Sequence, residues 1–404
     1  MGDTVELHRR GFLARGAALT VAVGSAPAAL AQGAAPAGGG ALPAYVAWKH
    51  APSLIVHTNQ TIETRRAAQG ASLITDESRL FVRNNIRPPS ESILEDRDAW
   101  RVEFLGVRGP RTLSLAELKR LGLETVATVL QCSGNGRKYF QERLGAGQQI
   151  SGTPWTVGAA GCVIWTGVPL RAVVEALGGA VAGARFITGT GGEPLPQNLD
   201  PKDAIFERSV PIATLDTVIL AWEMNGKPIS LAHGGPLRMV VPGYSGVNNI
   251  KYVKTVALTP TETDASIQAN RYRLHGLGEE GSPRHRSVWE QPVRSWITDP
   301  LQSGRAGRQV ITGVAFGGVN AVDRVEVSTD GGATWKRAPF VGPDLGRFAW
   351  RVFALPVELA PGKYVLASRA TDARGNVQPE ETPVNGGGYS HNGWRGPSLA
   401  IEMT

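Results

Sequence analysis

The chain has 404 residues, 42% hydrophobic and 19% charged, enough for two or three domains with ample core. Its net charge of +7 is spread thinly, and the lack of any run of five Lys or Arg argues against nucleic-acid binding, leaving only a weak bias toward anionic substrates or an acidic partner. Fifty glycines and 27 prolines favour a strand- and loop-rich protein over a helical bundle, and two cysteines rule out a disulfide framework, a CxxCH haem site and a four-cysteine zinc site.

Residues 1–31 read as an export signal. His8-Arg9-Arg10-Gly11-Phe12-Leu13 carries twin arginines, Ala17 to Leu30 is apolar and Ala-rich, and Ala29-Leu30-Ala31 fits a small-x-small cleavage site. The apolar stretch falls short of the ~20 residues a membrane span needs. The expectation is twin-arginine export to the periplasm. Residues 32–60 are expected to form a linker and N-terminal arm, irregular from Pro43 to Gln60, with His57 an ordinary surface or packed histidine.

Ser78 to Asn85 predicts a short strand with polar residues at its end, where Arg83 is either a solvated charge or a side chain aimed into a pocket. Ala99 to Val107 alternates as a strand does. Ser114 with Glu117 three positions later predicts a helix start with a capping box. Val129-Leu130-Gln131-Cys132-Ser133-Gly134-Asn135-Gly136-Arg137 begins as a buried strand and ends in turn formers. It has two readings. One is a tight turn with a packed cysteine. The other is a loop whose N–H groups, thiol and guanidinium converge on a bound group. A helix is expected from Leu170 to Leu177, ending at Gly178-Gly179. Strands are expected over Ala184–Gly189, Thr217–Met224 and Leu237–Val241, with a hairpin turn at Asn225-Gly226.

Beyond Pro292 the pattern changes. Short strands recur over Val310–Gly317, Ala321–Ser328, Thr334–Pro339, Phe348–Leu355 and Tyr364–Thr371, with hairpin turns at Asp330-Gly331-Gly332 and Pro361-Gly362. That spacing predicts an immunoglobulin-like β-sandwich without its cysteine core. The fold class is therefore α+β, a mixed α/β domain followed by an all-β sandwich. The expected boundaries are 61–283 and 284–404.

Four stretches taken together resemble the sulfite oxidase family of molybdenum enzymes, most of all its bacterial periplasmic sulfite dehydrogenases. They are Phe81-Val82-Arg83-Asn84-Asn85; Leu130 to Arg137; Leu220 to Gly226 with His233-Gly234-Gly235-Pro236-Leu237-Arg238, Val241-Pro242-Gly243 and Ile250-Lys251; and Val327 to Trp335 with Asn376 to Pro379. The resemblance implies a mixed α/β molybdopterin-binding domain, a dimerisation sandwich and a mononuclear molybdenum–pyranopterin cofactor. It makes Cys132 the thiolate metal ligand, in keeping with the metal's preference for soft sulfur. Arg83 and Arg137 become the arginines of the substrate pocket and Tyr272 the active-site tyrosine. Phe81, Val82, Arg83, Asn84, Asn85, Asp200, His233, Arg238, Asn249, Ile250 and Lys251 become cofactor contacts, and Cys162 is left to packing. Two departures stand out: Asn85 replaces a histidine common in the family, and Ser133 replaces the usual alanine after the cysteine.

The implied activity is oxidation of sulfite to sulfate with electrons passed to a c-type cytochrome, since no haem motif occurs in this chain. A homodimer through the C-terminal domain, or a heterodimer with a cytochrome subunit, would follow. Alternatives sharing the cofactor are a sulfane dehydrogenase subunit of a thiosulfate-oxidising complex and a periplasmic sulfoxide reductase. A secreted binding module without metal is the non-enzymatic alternative.

Overall fold

The computed structural model describes residues 40–145 and 147–404. The expected signal peptide lies outside the described residues, as does part of the expected linker. Among the described residues no helix is long and apolar enough to cross a membrane.

The segment expected to be irregular is partly ordered into strands. Leu54–Thr58 pairs antiparallel with Thr61–Thr64, which pairs with Val82–Arg83. Glu63 obscures this hairpin in the sequence, because a carboxylate reads as surface. It is instead fully buried, and it accepts hydrogen bonds from Thr156 N (2.8 Å) and Gly158 N (3.0 Å) and pairs with His57 Nε2 (2.7 Å). Buried carboxylates persist when satisfied in this way. Gly158 is required here, since a Cβ would lie 1.8 Å from the Thr64 carbonyl oxygen.

Two five-stranded sheets follow. One runs Lys227–Pro228, Ile219–Met224, Ala160–Pro169, Glu124–Gln131, with Arg238–Val240 also paired to Ile219–Met224. The other runs Arg111–Ser114, Arg101–Leu105, Thr255–Thr259, Phe186–Thr190, Glu207–Pro211, and its Arg101–Leu105 and Thr255–Thr259 strands are parallel. The capping box forms as expected: Ser114 N donates to Glu117 Oε2 (2.7 Å) and Glu117 N to Ser114 Oγ (3.2 Å), opening a one-turn helix, Leu115–Leu118. The Leu170–Ala176 helix presents Leu170, Val173, Val174 and Leu177 to the core, the i, i+3, i+4, i+7 stripe of an amphipathic helix. Asn225 and Gly226 both have positive φ (55° and 73°), as the tight turn joining Ile219–Met224 to Lys227–Pro228 demands.

The C-terminal region is two four-stranded antiparallel sheets around a core that includes Ile297, Ile311, Val325, Phe353, Leu366 and Ile401. One holds Arg294–Asp299, Gly307–Phe316, Arg351–Leu359 and Phe340–Val341; the other holds Lys336–Ala338, Val322–Ser328, Gly362–Asp372 and Leu399–Met403. Asp330-Gly331-Gly332 does close a hairpin, between Val322–Ser328 and Lys336–Ala338. Pro361-Gly362 does not: the strands on either side belong to opposite sheets, so this turn carries the chain across the sandwich. Local turn chemistry cannot distinguish the two, because pairing partners are set by long-range packing.

The Glu124–Gln131 strand links both regions. Its Leu130 packs with Trp155, Trp165 and Val240, while Val129 packs on the other side with Trp296 and Trp350 of the sandwich. Covered on both faces, its inner end is buried from Thr128 to Gln131, so Cys132 emerges from a rigid base.

Candidate active site

Cys132 directly follows that strand. Its N–H donates to Ala159 O (2.9 Å) and its carbonyl accepts from Asn135 N (3.0 Å). Asn135 staples the turn: its Nδ2 donates to Gln131 Oε1 (2.9 Å) and Val157 O (3.2 Å), and its Oδ1 accepts from Ala159 N (3.1 Å). Gly136, at φ 93°, passes so close to the Arg294 guanidinium and His391 that any Cβ would collide with them. Arg294 Nη1 donates to Asn135 O (3.0 Å) and Gln131 Oε1 (3.2 Å), and Ser390 N to Ser133 O (2.9 Å), so the sandwich region grips the turn from two directions.

Cys132 opens into a cavity. Of the residues singled out in the sequence, Phe81, Arg83, Asn84, Asn85, Cys132, His233, Arg238, Asn249, Lys251 and Tyr272 line it. Four do not. Val82 points away and packs with Val46, Leu54, Ile62 and Ala232, because neighbours in an extended segment face opposite ways. Ile250, between Asn249 and Lys251, is buried in the core. Asp200 is exposed and caps a one-turn helix by accepting from Lys202 N (2.8 Å), outside the cavity lining. Arg137 folds back against Gly134 and donates to Thr153 O (Nη1, 2.9 Å) and Gly387 O (Nη2, 3.0 Å) instead of facing the cavity.

Ser133, noted above as a departure from the family pattern, lines the cavity too, as do Glu193 and Phe206; no motif marks the last two, nor Lys49, which stands behind the cavity. Glu193 sits in a Gly-rich loop with no periodic signal. Lys49 comes from the N-terminal arm, and only tertiary packing brings its Nζ to 2.9 Å from His233 Nε2.

The wall is rich in cations that lack carboxylate partners. Lys251 Nζ donates to Asn84 Oδ1 (2.6 Å) and Ala232 O (2.5 Å). Arg238 donates to His233 O (2.9 Å) and Asn249 O (3.3 Å), and its Nε has no partner. Burial, with the Arg238 charge beside it, holds the Lys251 ammonium well below its usual pKa, and burial brings Arg238 down to about 10. Lys49 is lowered to about 7, also by burial. Burial and then the Lys49 charge keep His233 neutral, well below the ordinary histidine range. Glu193 is pushed up to about 7 by burial, against the pull of Lys251 and Arg238, and its Oε2 is unpartnered. Arg83 donates to Asn84 O and to Asn85 Oδ1, and Tyr272 Oη reaches the same Oδ1 at 3.3 Å.

Buried cations unmatched by carboxylates are costly unless an anion joins them. Among the described residues no cluster of three His, Cys, Asp or Glu could hold a metal ion, so a metal on Cys132 needs its remaining ligands from a non-protein chelate. A pyranopterin, with its dithiolene sulfurs and phosphate, fits both requirements. Cys132 would be its protein ligand, and Lys251, Arg238, His233 and Asn249 would meet its anionic and polar groups.

Comparison with known proteins agrees. Residues 89–267 match the family described as oxidoreductase molybdopterin binding domain, and residues 285–396 match the Mo-co oxidoreductase dimerisation domain. Chicken sulfite oxidase (Gallus gallus) is 30% identical over 350 residues, covering 81% of this chain and 73% of that protein. Human mitochondrial sulfite oxidase is 30% identical over 344 residues, and the match spans 80% of this chain but only 60% of the human protein. The structure of the sulfane dehydrogenase SoxCD from Paracoccus pantotrophus shares the fold, with a TM-score of 0.70 over 86% of this chain and 88% of that one at 24% identity. With this relationship, fold and cavity agreeing, the chain belongs to the sulfite oxidase family of molybdopterin oxidoreductases.

Proposed function

We propose that this protein oxidises sulfite to sulfate and delivers the electrons to a c-type cytochrome. The carrying observation is the cavity at Cys132, where Arg83 and Tyr272 face a thiol on a cation-rich wall. The overall change is SO3²⁻ + H2O → SO4²⁻ + 2 H⁺ + 2 e⁻. The bound molybdenum cofactor would supply the two-electron redox chemistry.

The chain's own residues bind and orient. Arg83 offers a guanidinium to the anion's oxygens, a geometry suited to oxyanions. Tyr272 directs its one hydroxyl proton at Asn85 Oδ1 over a long 3.3 Å contact, which a substrate oxygen would replace. Asn85 holds both side chains through one carbonyl oxygen. The buried Lys251 and Arg238 supply positive potential in a low-dielectric pocket, where preorganised charge is most effective. Cys132 stays where the Asn135 staple sets it.

Export by the twin-arginine route to the periplasm and pairing through the sandwich region complete the reading. The support is the Arg9-Arg10 leader and the match of residues 285–396 to a dimerisation domain. A second reading, action on sulfane sulfur as the sulfane dehydrogenase name describes, draws on one observation: Arg137 is withdrawn, leaving Arg83 as the lining arginine linked to Tyr272 through their shared Asn85. Molybdenum content and sulfite-dependent ferricytochrome c reduction, measured on one sample, test the proposal. One molybdenum per chain with rapid reduction by free sulfite is expected. Full metal with no response to free sulfite would overturn it in favour of the second reading.

A further inference from the structure

Tyr272 does not stand alone. Its ring stacks on that of Tyr389, with centroids 5.0 Å apart and planes inclined by 22°. The Arg208 guanidinium packs over Tyr272 at 5.7 Å, and the Arg137 guanidinium over Tyr389 at 5.5 Å. Two phenols and two guanidiniums thus form one aromatic–cation stack at the cavity wall. Aromatic faces attract guanidiniums, and offset ring pairs hold a preferred geometry.

Each component is fixed separately. Arg208 is fully buried and donates to Asn248 Oδ1 (3.1 Å from Nη2) and Ile267 O (2.9 Å). Arg137 is anchored on Thr153 O and Gly387 O. Tyr389 is held by Asn385, which accepts from Tyr389 N (2.9 Å) and donates to Tyr389 O (2.9 Å). Tyr389 Oη donates to Arg271 O (2.8 Å), the carbonyl directly before Tyr272. Tyr389 therefore restrains Tyr272 twice, through its ring and through its preceding peptide. The next residue, Ser390, bonds the carbonyl of Ser133, beside Cys132.

We propose that Tyr389, contributed by the C-terminal region, is a positioning residue that aims the Tyr272 hydroxyl into the substrate cavity, and that the withdrawn Arg137 serves this stack. The inference rests on the sulfite reading above for its kinetic test. A hydroxyl displaced by on the order of 1 Å can cost about 10²-fold in turnover efficiency.

The test is a double-mutant cycle on the metal-loaded enzyme. Tyr389→Leu removes the ring and should lower kcat/KM for sulfite about 10- to 100-fold, with molybdenum content unchanged and the protein still folded at the assay temperature. In a Tyr272→Phe background the same change should cost no more than about twofold. Tyr389→Phe keeps the ring and should stay within about threefold of wild type. Equal losses from Tyr389→Leu in both backgrounds, or wild-type kinetics in Tyr389→Leu, would overturn the proposal. If Tyr389→Leu does not fold, Tyr389→Met replaces it under the same criteria.

Nitration of Tyr272 by tetranitromethane, read by peptide mass analysis, follows the restraint without turnover. It should accelerate several-fold in Tyr389→Leu. A wild-type protein inactive on sulfite with that acceleration present would sink the sulfite reading and keep the positioning role. An active wild type with neither acceleration nor coupling would do the reverse.

Discussion

The cavity and the sandwich handle positive charge in opposite ways. In the sandwich, Arg369 meets Glu326 at 2.9 Å and Arg351 meets Asp344 at 2.9 Å, ordinary pairs at or near the surface. Around the cavity, Lys251 and Arg238 bond only carbonyl and amide oxygens, and Arg238 Nε has no partner. One sandwich cation departs from this pattern: Arg294, the first residue of Arg294–Asp299 and buried beneath the Cys132 turn, leaves Nε and Nη2 unpartnered. A fold stabilises a paired charge for its own sake. An unpaired buried cation is tolerated where a ligand of opposite charge completes it.

Cys132→Ser tests the contrast hardest. It removes the single thiol in the cavity, and loss of bound molybdenum together with loss of sulfite turnover is expected; metal analysis of the purified variant checks it. Retained metal at one per chain would show that the cavity does not depend on the thiol.

Lys251→Met should separate ligand binding from folding. The cofactor-free protein should keep or raise its thermal midpoint, because an unmatched buried ammonium is removed, while cofactor occupancy falls about tenfold, equivalent to ~1.4 kcal/mol. A large drop in the midpoint of the cofactor-free protein would assign Lys251 to the fold instead.

His391 gives a pH signature at the seam between the two regions. Burial and the nearby Arg294 charge bring its pKa to about 3, whereas an unfolded histidine titrates at about 6.5. Between those values the unfolded chain binds a proton that the folded chain does not. Stability is therefore lost as pH falls from 6.5 toward 3, by on the order of a few kcal/mol at the acid end. Denaturation midpoints measured from pH 7 to 4 should fall more steeply in the wild type than in His391→Gln. Parallel curves would dismiss His391 as the source.

The smallest effect belongs to the sandwich. Glu326→Gln breaks the Arg369 pair and should cost under about 1 kcal/mol in urea unfolding, with sulfite kinetics unchanged. A larger loss would blur the contrast between the two regions.

Much of the site was legible from residue order. Phe81, Arg83, Asn84 and Asn85, like Asn249 and Lys251, line the cavity. Val82 and Ile250 turn into the core, so a contiguous motif names more residues than line the cavity. Asp200 matches the family by acidity and region, but a proline-led helix turn uses its carboxylate as a cap, and the acidic residue lining the cavity is Glu193.

The sequence by itself determined the elements with local causes: the Ser114–Glu117 capping box, the Leu170–Ala176 amphipathic helix, the Asn225-Gly226 turn and the glycine-bearing Cys132 turn. Each follows from torsional preference or hydrogen bonding among residues a few positions apart. Tertiary structure alone decided that Arg137 turns away, that Lys49 reaches His233, that Pro361-Gly362 crosses between sheets, and that Tyr389 stacks on Tyr272 from 117 positions along the chain. Those outcomes depend on which distant surfaces bury one another, and no local pattern encodes that.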